Sequence, residues 1–280
     1  IRHLRRPGDT KHYLPGKGLY RYVTSANYFG ELVEWTGFAI LTASPAAWVF
    51  VWWTFANLVP RADAIHHRYR EEFGDEAVGK RKRTIRSAAF ESMCPGNAPS
   101  DMLLDYHRSV AAGGIGMTTV AYAAVTQSGL SFDRQLWMRP EIIPGLRRLT
   151  DAIHAEGAAA GIQLGHCGNM SHKSICGCMP VGASSGFNLY SPTFVRGLRA
   201  DELPEMARAY GRSVNLAREA GSDSVEIHAG HGYLISQFLS PSTNHRKDEF
   251  GGSLQNRMRF MDMVMEEVMK AAGTDMAVLV

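Results

Sequence analysis

The chain predicts an α/β fold, a parallel sheet with covering helices from about residue 83 to 280, preceded by an all-α segment. Three observations carry this. Short apolar runs rich in β-type residues alternate with amphipathic stretches of helical length, the pattern of a parallel sheet joined by crossover helices. Start and stop residues stand where those helices need them: Ser100, Asp101 and Ser253 at beginnings, Gly157 and Gly221 at ends. Ahead of them, Thr36–Val59 holds no charged side chain, and Trp48–Phe55 is almost wholly apolar.

In chain order, the first segment predicts two helices, Ala26–Ala43 and Pro45–Phe73, meeting near Ser44 because proline is favoured in a first turn and disfavoured inside. An apolar stretch of roughly 20 residues is the length that spans a bilayer, so the second helix is expected to cross a membrane and continue as a polar extension. Glu31 and Glu34 lie in apolar surroundings, where carboxylates face a cavity or a partner. Arg61, Arg68, Arg70 and the run Lys80–Arg83 flank the apolar end and place it, with everything after it, on the cytoplasmic side. These features predict a membrane location, with residues 26–60 in contact with lipid.

The second segment predicts strands at Thr84–Ala89, Ile115–Val120, Ala159–Leu164, Ser224–His228 and Met276–Val280. The helices predicted between them are Ser100–Ala112, Ile142–Ala155, Ala200–Ala220 and Ser253–Ala272. No GxGxxG follows a strand, which argues against a Rossmann nucleotide site.

The bulk numbers exclude some functions. A net charge of +3 and a pI near 8.7 make no case for nucleic acid, and the basic run Lys80–Arg83 lacks an aromatic platform. Four cysteines, Cys94, Cys167, Cys176 and Cys178, are too few for a disulfide scaffold. Together with His166 and His172, the last three crowd one loop, but their spacing fits no zinc or iron–sulfur signature, and no metal is expected. Cys94 follows the first strand and carries no assignment.

The stretch Val225–Phe260, VEIHAGHGYLISQFLSPSTNHRKDEFGGSLQNRMRF, is the densest in chemistry. It leaves a buried strand and at once presents His228, His231 and Tyr233, at the end of a parallel strand where barrel sites are built. It then passes a polar, Gly-rich turn at Asp248–Gly252 into the last helix. The ordered series HxxHGYL, FLSP, DE-aromatic-GGS and NRxRF resembles the Old Yellow Enzyme family of FMN-dependent ene reductases, including its 2,4-dienoyl-CoA reductase-like branch. The resemblance runs from about Arg83 to Val280 and implies a partial TIM (β/α)8 barrel, its first five strands. It implies FMN and NADPH or NADH as cofactors, and an enone or steroid as the small-molecule substrate.

Such chemistry needs hydride from a reduced flavin, a donor pair to polarise the substrate carbonyl, and an acid for the other carbon of the double bond. By resemblance His228 and His231 are the carbonyl-binding pair and Tyr233 the proton donor. Gln163, in GIQLGHCG, corresponds to a flavin-contacting glutamine. Ser87, Ala88 and Ala89 match small residues that pack under the flavin ring. Ala121–Tyr122 stands where relatives carry a small residue at the end of the second strand. Arg257 in NRMRF is expected to form a structural ion pair. Relatives draw an arginine on the fifth strand and their phosphate loops from beyond the resembling part, so residues 83–280 alone are expected to hold FMN poorly. Unpaired edges of a half barrel favour association between copies into a homo-oligomer.

Residues 1–80 resemble the carboxyl-terminal part of the membrane steroid 5α-reductases through LRRPG (Leu4–Gly8), Tyr13–Ala39 and NLVPRA…HHRY (Asn57–Tyr69). That resemblance implies an NADPH pocket drawing on Arg5, Tyr13, Asn27, Glu31, Arg61, His66 and Tyr69. The family's substrate-activating acid and tyrosine lie upstream of the resembling region and are absent here. The chain thus reads as a fusion: a transmembrane 5α-reductase-like part, residues 1–80, then the front half of an FMN-binding barrel, residues 83–280. A start at Ile1 and a stop inside the fifth strand suggest a fragment. The expected activity is reduction of activated carbon–carbon double bonds beside a carbonyl. The alternatives are an NADPH-dependent steroid 5α-reductase and a non-catalytic fusion fragment.

Overall fold

A computed structural model describes residues 25–42, 44–73, 84–189 and 192–280. Two helices come first, α1 (Ala26–Thr42) and α2 (Pro45–Phe73), broken where the sequence places the break, with Pro45 opening the second. They meet through Trp35 and Phe50, whose ring centroids stand 4.5 Å apart. No helix among the described residues is long and apolar enough to cross a membrane. α1 has 17 residues and carries Glu31 and Glu34. α2 has 29, but beyond Val59 it runs through Pro60, Arg61, Asp63 and two histidines. Its apolar part, residues 45–59, is about 22 Å long at 1.5 Å per residue, short of the roughly 30 Å hydrocarbon core. The expected membrane location, and with it the cytoplasmic placement of the barrel, is overturned. The lipid contact expected through residues 26–60 has no such span to rest on among the described residues.

The half barrel opens with β1 (Ile85–Arg86), α3 (Asp101–Ala112), β2 (Met117–Ala124), β3 (Leu136–Trp137), α4 (Ile143–Ala155) and β4 (Ala159–Gly165). It continues with α5 (Lys173–Cys176), β5 (Val181–Gly182), β6 (Gly186–Asn188), β7 (Thr193–Gly197) and α6 (Leu203–Glu219). It closes with β8 (Ser224–Ile227), α7 (Leu234–Leu239), α8 (Leu254–Ala272) and β9 (Ala277–Leu279). The main sheet runs β1-β2-β4-β8-β9, all parallel and curled as half of a barrel. These are the five strands the sequence predicts, with shifted ends. β1 keeps only two residues in the ladder. β2 runs past its expected end through a register shift between Val120 and Ala123.

The predicted caps are in place. The Ser100 hydroxyl accepts the Leu103 N–H at 3.1 Å, and the Ser253 hydroxyl accepts that of Asn256 at 3.3 Å. Gly157 and Gly221 leave their helices with φ of 74° and 90°, a region that favours glycine. α6 lays Leu203, Ala207, Tyr210, Val214 and Ala217 on the sheet, and α8 lays Phe260, Val264 and Val268 beside them. The sequence does not announce the small sheet β5-β7-β6 or the short helices α5 and α7, because strands and helices this short carry no period. Arg257 differs from expectation. Its guanidinium donates to the carbonyls of Leu239, at 2.7 Å, and Gly252, and so ties the loop after α7 to α8.

Candidate functional site

The carboxyl ends of β1, β2, β4 and β8 open onto one cavity of about 400 Å³. Ala88 and Ala89 reach it from the segment after β1, Ala121 and Tyr122 from β2, Gln163 from β4, and His228, His231 and Tyr233 from the turn after β8. Phe90, Cys94, Phe132 and Arg134 complete its rim. Six of the seven barrel residues singled out in the sequence therefore share a single wall. Ser87 is exposed and stands outside it.

The turn after β8 is built for display. The His228 N–H bonds back to the Leu164 carbonyl at 2.8 Å, continuing the β4–β8 ladder. His231 then adopts φ +53°, rare for a residue with a side chain. The reversal sets His231 Nδ1 3.1 Å from His228 Nε2, and the Tyr233 ring 4.8 Å from that of His228. Gly165 completes the packing, since a side chain there would collide with the Tyr122 ring, which stands 5.8 Å from His228 and 5.2 Å from Tyr233. Burial, and second the neighbouring His231, lower the His228 pKa to about 4, so its imidazole is neutral at pH 7. Burial raises Tyr233 above the ordinary phenol range, and a hydrogen bond from Ser131 partly offsets this. The phenol is protonated at neutral pH.

Four residues of the site carried no assignment in the sequence. Glu226 lies opposite Gln163 in the β4–β8 register and accepts from its side-chain amide, leaving the Gln163 carbonyl oxygen and second N–H for the cavity. Burial raises the Glu226 pKa. Its signal was there: a lone carboxylate inside a fully buried parallel strand is out of place. Glu91 is 94% buried, 3.1 Å from Arg86 Nη1 and 3.0 Å from His107 Nε2, and accepts the Ala121 N–H at 3.2 Å. It fastens the segment after β1 to α3 and β2. Tyr122 donates to the Gly129 carbonyl at 2.8 Å.

Gln237, on α7, is the fourth. Its buried amide donates to the carbonyls of Gly232 (2.6 Å) and Cys167 (3.2 Å) and to Asn169 Oδ1 (2.9 Å), while accepting the Asn169 N–H (3.1 Å). It bolts the display turn to the loop after β4. Only glycine fits beneath it: a Cβ on Gly168 would lie 2.4 Å from the amide oxygen, and Gly168 has φ +62°.

Of the residues expected to form an NADPH pocket in the first segment, Glu31, Arg61, His66 and Tyr69 lie on α1 and α2, and none of these four lines the cavity. Arg5 and Tyr13 lie outside the described residues, as does the Asn27 side chain. Glu31 and Arg61 are exposed on α1 and α2, Tyr69 is half-buried, and His66 is buried. Among the described residues no three His, Cys, Asp or Glu side chains come together as a metal ligand set.

Comparison with known proteins decides the family. The model of the NADH:flavin oxidoreductase / NADH oxidase family matches residues 78–280. The chain belongs to that family. Residues 1–86 match the model of 3-oxo-5-alpha-steroid 4-dehydrogenase, so two unlike pieces are joined as the sequence indicates. Within the flavin oxidoreductase family, a 4,4'-dithiodibutanoate disulfide reductase of Rhodococcus erythropolis is 40% identical over 198 residues, covering 71% of this chain and 49% of that protein. An NADPH dehydrogenase of Bacillus subtilis is 37% identical over 164 residues, 58% of this chain and 48% of the other. Among solved structures, an Old Yellow Enzyme homologue from Zymomonas mobilis superposes with a TM-score of 0.65 at 29% identity, over 70% of this chain and 58% of its own. Morphinone reductase in complex with tetrahydroNAD superposes with a TM-score of 0.66 at 26% identity, over 70% and 59%. The chain spans about half the length of these two curated relatives.

Proposed function

We propose that this chain is the front part of an FMN-dependent NAD(P)H oxidoreductase that reduces the activated double bond of α,β-unsaturated carbonyl compounds, its first five barrel strands joined near residues 80–83 to a 5α-reductase-like segment. One observation carries the reading. His228, His231, Tyr233, Gln163, Ala88 and Ala89 share one cavity at the carboxyl ends of parallel strands. The family supplies the cofactor and the relatives supply the type of reaction.

The residues present fit a flavin ring. Ala88 and Ala89 bring backbone close to the cavity without bulk, and the Gln163 amide keeps both a donor and an acceptor free. Bound there, FMN would take hydride from NAD(P)H and supply it to the substrate. His228 Nε2 and His231 Nδ1 stand 3.1 Å apart and hydrogen-bond one another; a ligand oxygen at the cavity face would replace that bond and accept from both rings. His228, held neutral by burial, donates an N–H that stabilises negative charge on that oxygen without giving up a proton, and His231 stands beside it as the second ring of the pair. The Tyr233 hydroxyl, protonated and half-buried, holds the proton for the second carbon. Tyr122 excludes water behind them. Among the described residues β1 and β9 end the sheet, and such edges favour pairing with a further strand or a second copy.

The test is turnover by the chain with its barrel completed to eight strands. FMN bound in equal amount, and NADPH consumed in step with saturated ketone formed from an enone, support the reading. FMN bound with no ketone formed from a panel of enones contradicts it.

A further inference from the structure

The loop after β4 holds a sulfur pair that the proposed chemistry leaves unused. Cys176 ends α5, Gly177 turns with φ +73°, and Cys178 follows. The two Sγ atoms are 3.6 Å apart, in contact, and the Cys176 thiol also points to the Cys178 carbonyl at 3.2 Å. A disulfide bond is about 2.05 Å long, so closing this pair asks the two sulfurs, now 3.6 Å apart, to approach by about 1.5 Å across the turn at Gly177. Exposure divides the roles. Cys178 is open to solvent, whereas Cys176 is buried at 1% exposure. Cys94 and Cys167 are both buried, and burial pushes each thiol up to about 12; burial and then the hydrogen bond with Cys176 raise Cys178 as well, to about 11, so its thiolate is the minor form at neutral pH and exchange quickens as pH rises.

The geometry points to Cys176–Cys178 as a redox-active dithiol that closes to an intramolecular disulfide by exchange with small-molecule disulfides. In the first step the Cys178 sulfur, as thiolate, attacks one sulfur of the small disulfide. A mixed disulfide forms and one small thiolate leaves and takes up a proton. In the second step the Cys176 sulfur attacks the Cys178 sulfur, the protein disulfide forms, and the second small thiolate leaves with the proton of Cys176. The protein loses two protons and two electrons, and the small disulfide gains both to become two thiols.

The pair is also wired to the cavity. Cys176 packs with Ala124 and Leu130 in a small apolar cluster, against which Tyr122, Trp137 and Ile175 lie. Tyr122 is the residue whose ring touches both His228 and Tyr233. Drawing the Cys176 sulfur toward Cys178 removes an atom from the packing behind Tyr122, so the oxidised and reduced chains differ at the wall of the site.

The experiment incubates the full chain with oxidised glutathione, blocks remaining thiols with iodoacetamide, and maps the tryptic peptide that holds both cysteines by mass spectrometry. The expected product is that peptide two hydrogens lighter and unalkylated, exceeding any glutathione adduct by roughly tenfold or more, because the second thiol acts at high effective concentration. Cys94 and Cys167 stay alkylatable after unfolding. Cys176→Ser should stop at a stable glutathione adduct on Cys178, and Cys178→Ser should leave Cys176 unmodified. A wild-type chain that keeps glutathione on Cys178, or that has both cysteines alkylated, overturns the proposal, and neither result depends on whether a variant folds or whether FMN is bound.

Discussion

His166 and His228 stand at the ends of adjacent parallel strands, β4 and β8, yet the fold uses them in opposite ways. His166 is fully buried. Its Nδ1 accepts the Gly168 N–H at 2.9 Å and its Nε2 bonds the Ser128 hydroxyl at 3.0 Å, so both ring nitrogens are spent. Burial lowers its pKa to about 3. His228 shares one nitrogen with His231 and faces a cavity. The same side chain is a strut in one place and, in the proposed reaction, a tool in the other. What separates them is whether the surroundings leave polar capacity unspent.

That contrast can be broken by mutation. His166→Ala should cost about 3–5 kcal/mol in chemical denaturation, since it leaves a buried cavity and strands the Gly168 N–H and the Ser128 hydroxyl. His228→Ala, at the cavity wall, should cost less than half as much. Equal losses would erase the distinction. Next in size, Gly168→Ala should cost about 2 kcal/mol or more, because a Cβ meets the Gln237 amide and the backbone sits at φ +62°. Gln237→Ala combined with Gly168→Ala should be less destabilising than the two single effects added, and simple additivity would exclude their coupling.

A pH series sharpens the same comparison. Both histidines have folded pKa values below the ordinary value near 6.5, so the unfolded chain binds protons that the folded chain refuses. Stability should be full above about pH 6.5 and fall as pH drops. The His228 contribution is exhausted near pH 4, and that of His166 persists to about pH 3. Urea unfolding of wild type and His228→Asn at pH 7 and 5 checks this, with the variant expected to show the shallower fall. A steeper fall in the variant would reverse the assignment.

Much of this was legible in the sequence and some was not, for physical reasons. The five parallel strands and four long helices were readable because their residues repeat with a period and end at Ser100, Ser253, Gly157 and Gly221. The turn from His228 to Tyr233 was readable because its chemistry is contiguous. Gln237 and Glu91 were not, and Tyr122 was readable only as a replaced small residue, since each acts on residues far along the chain: Gln237 on Asn169, Glu91 on Ala121, Tyr122 on His228. Apolar content misled in α2, where composition suggested a span but Pro60, Arg61 and Asp63 cut the apolar length short.

The central claim is that Tyr233 holds the proton and the histidine pair holds the oxygen. Tyr233→Phe tests it most directly, measured by stopped flow on the flavin-loaded chain with its barrel completed. Reoxidation of reduced flavin by an enone should slow by about 10²–10⁴-fold, while reduction of the flavin by NADPH stays nearly unchanged. Equal slowing of both half-reactions, or none in either, would contradict the account.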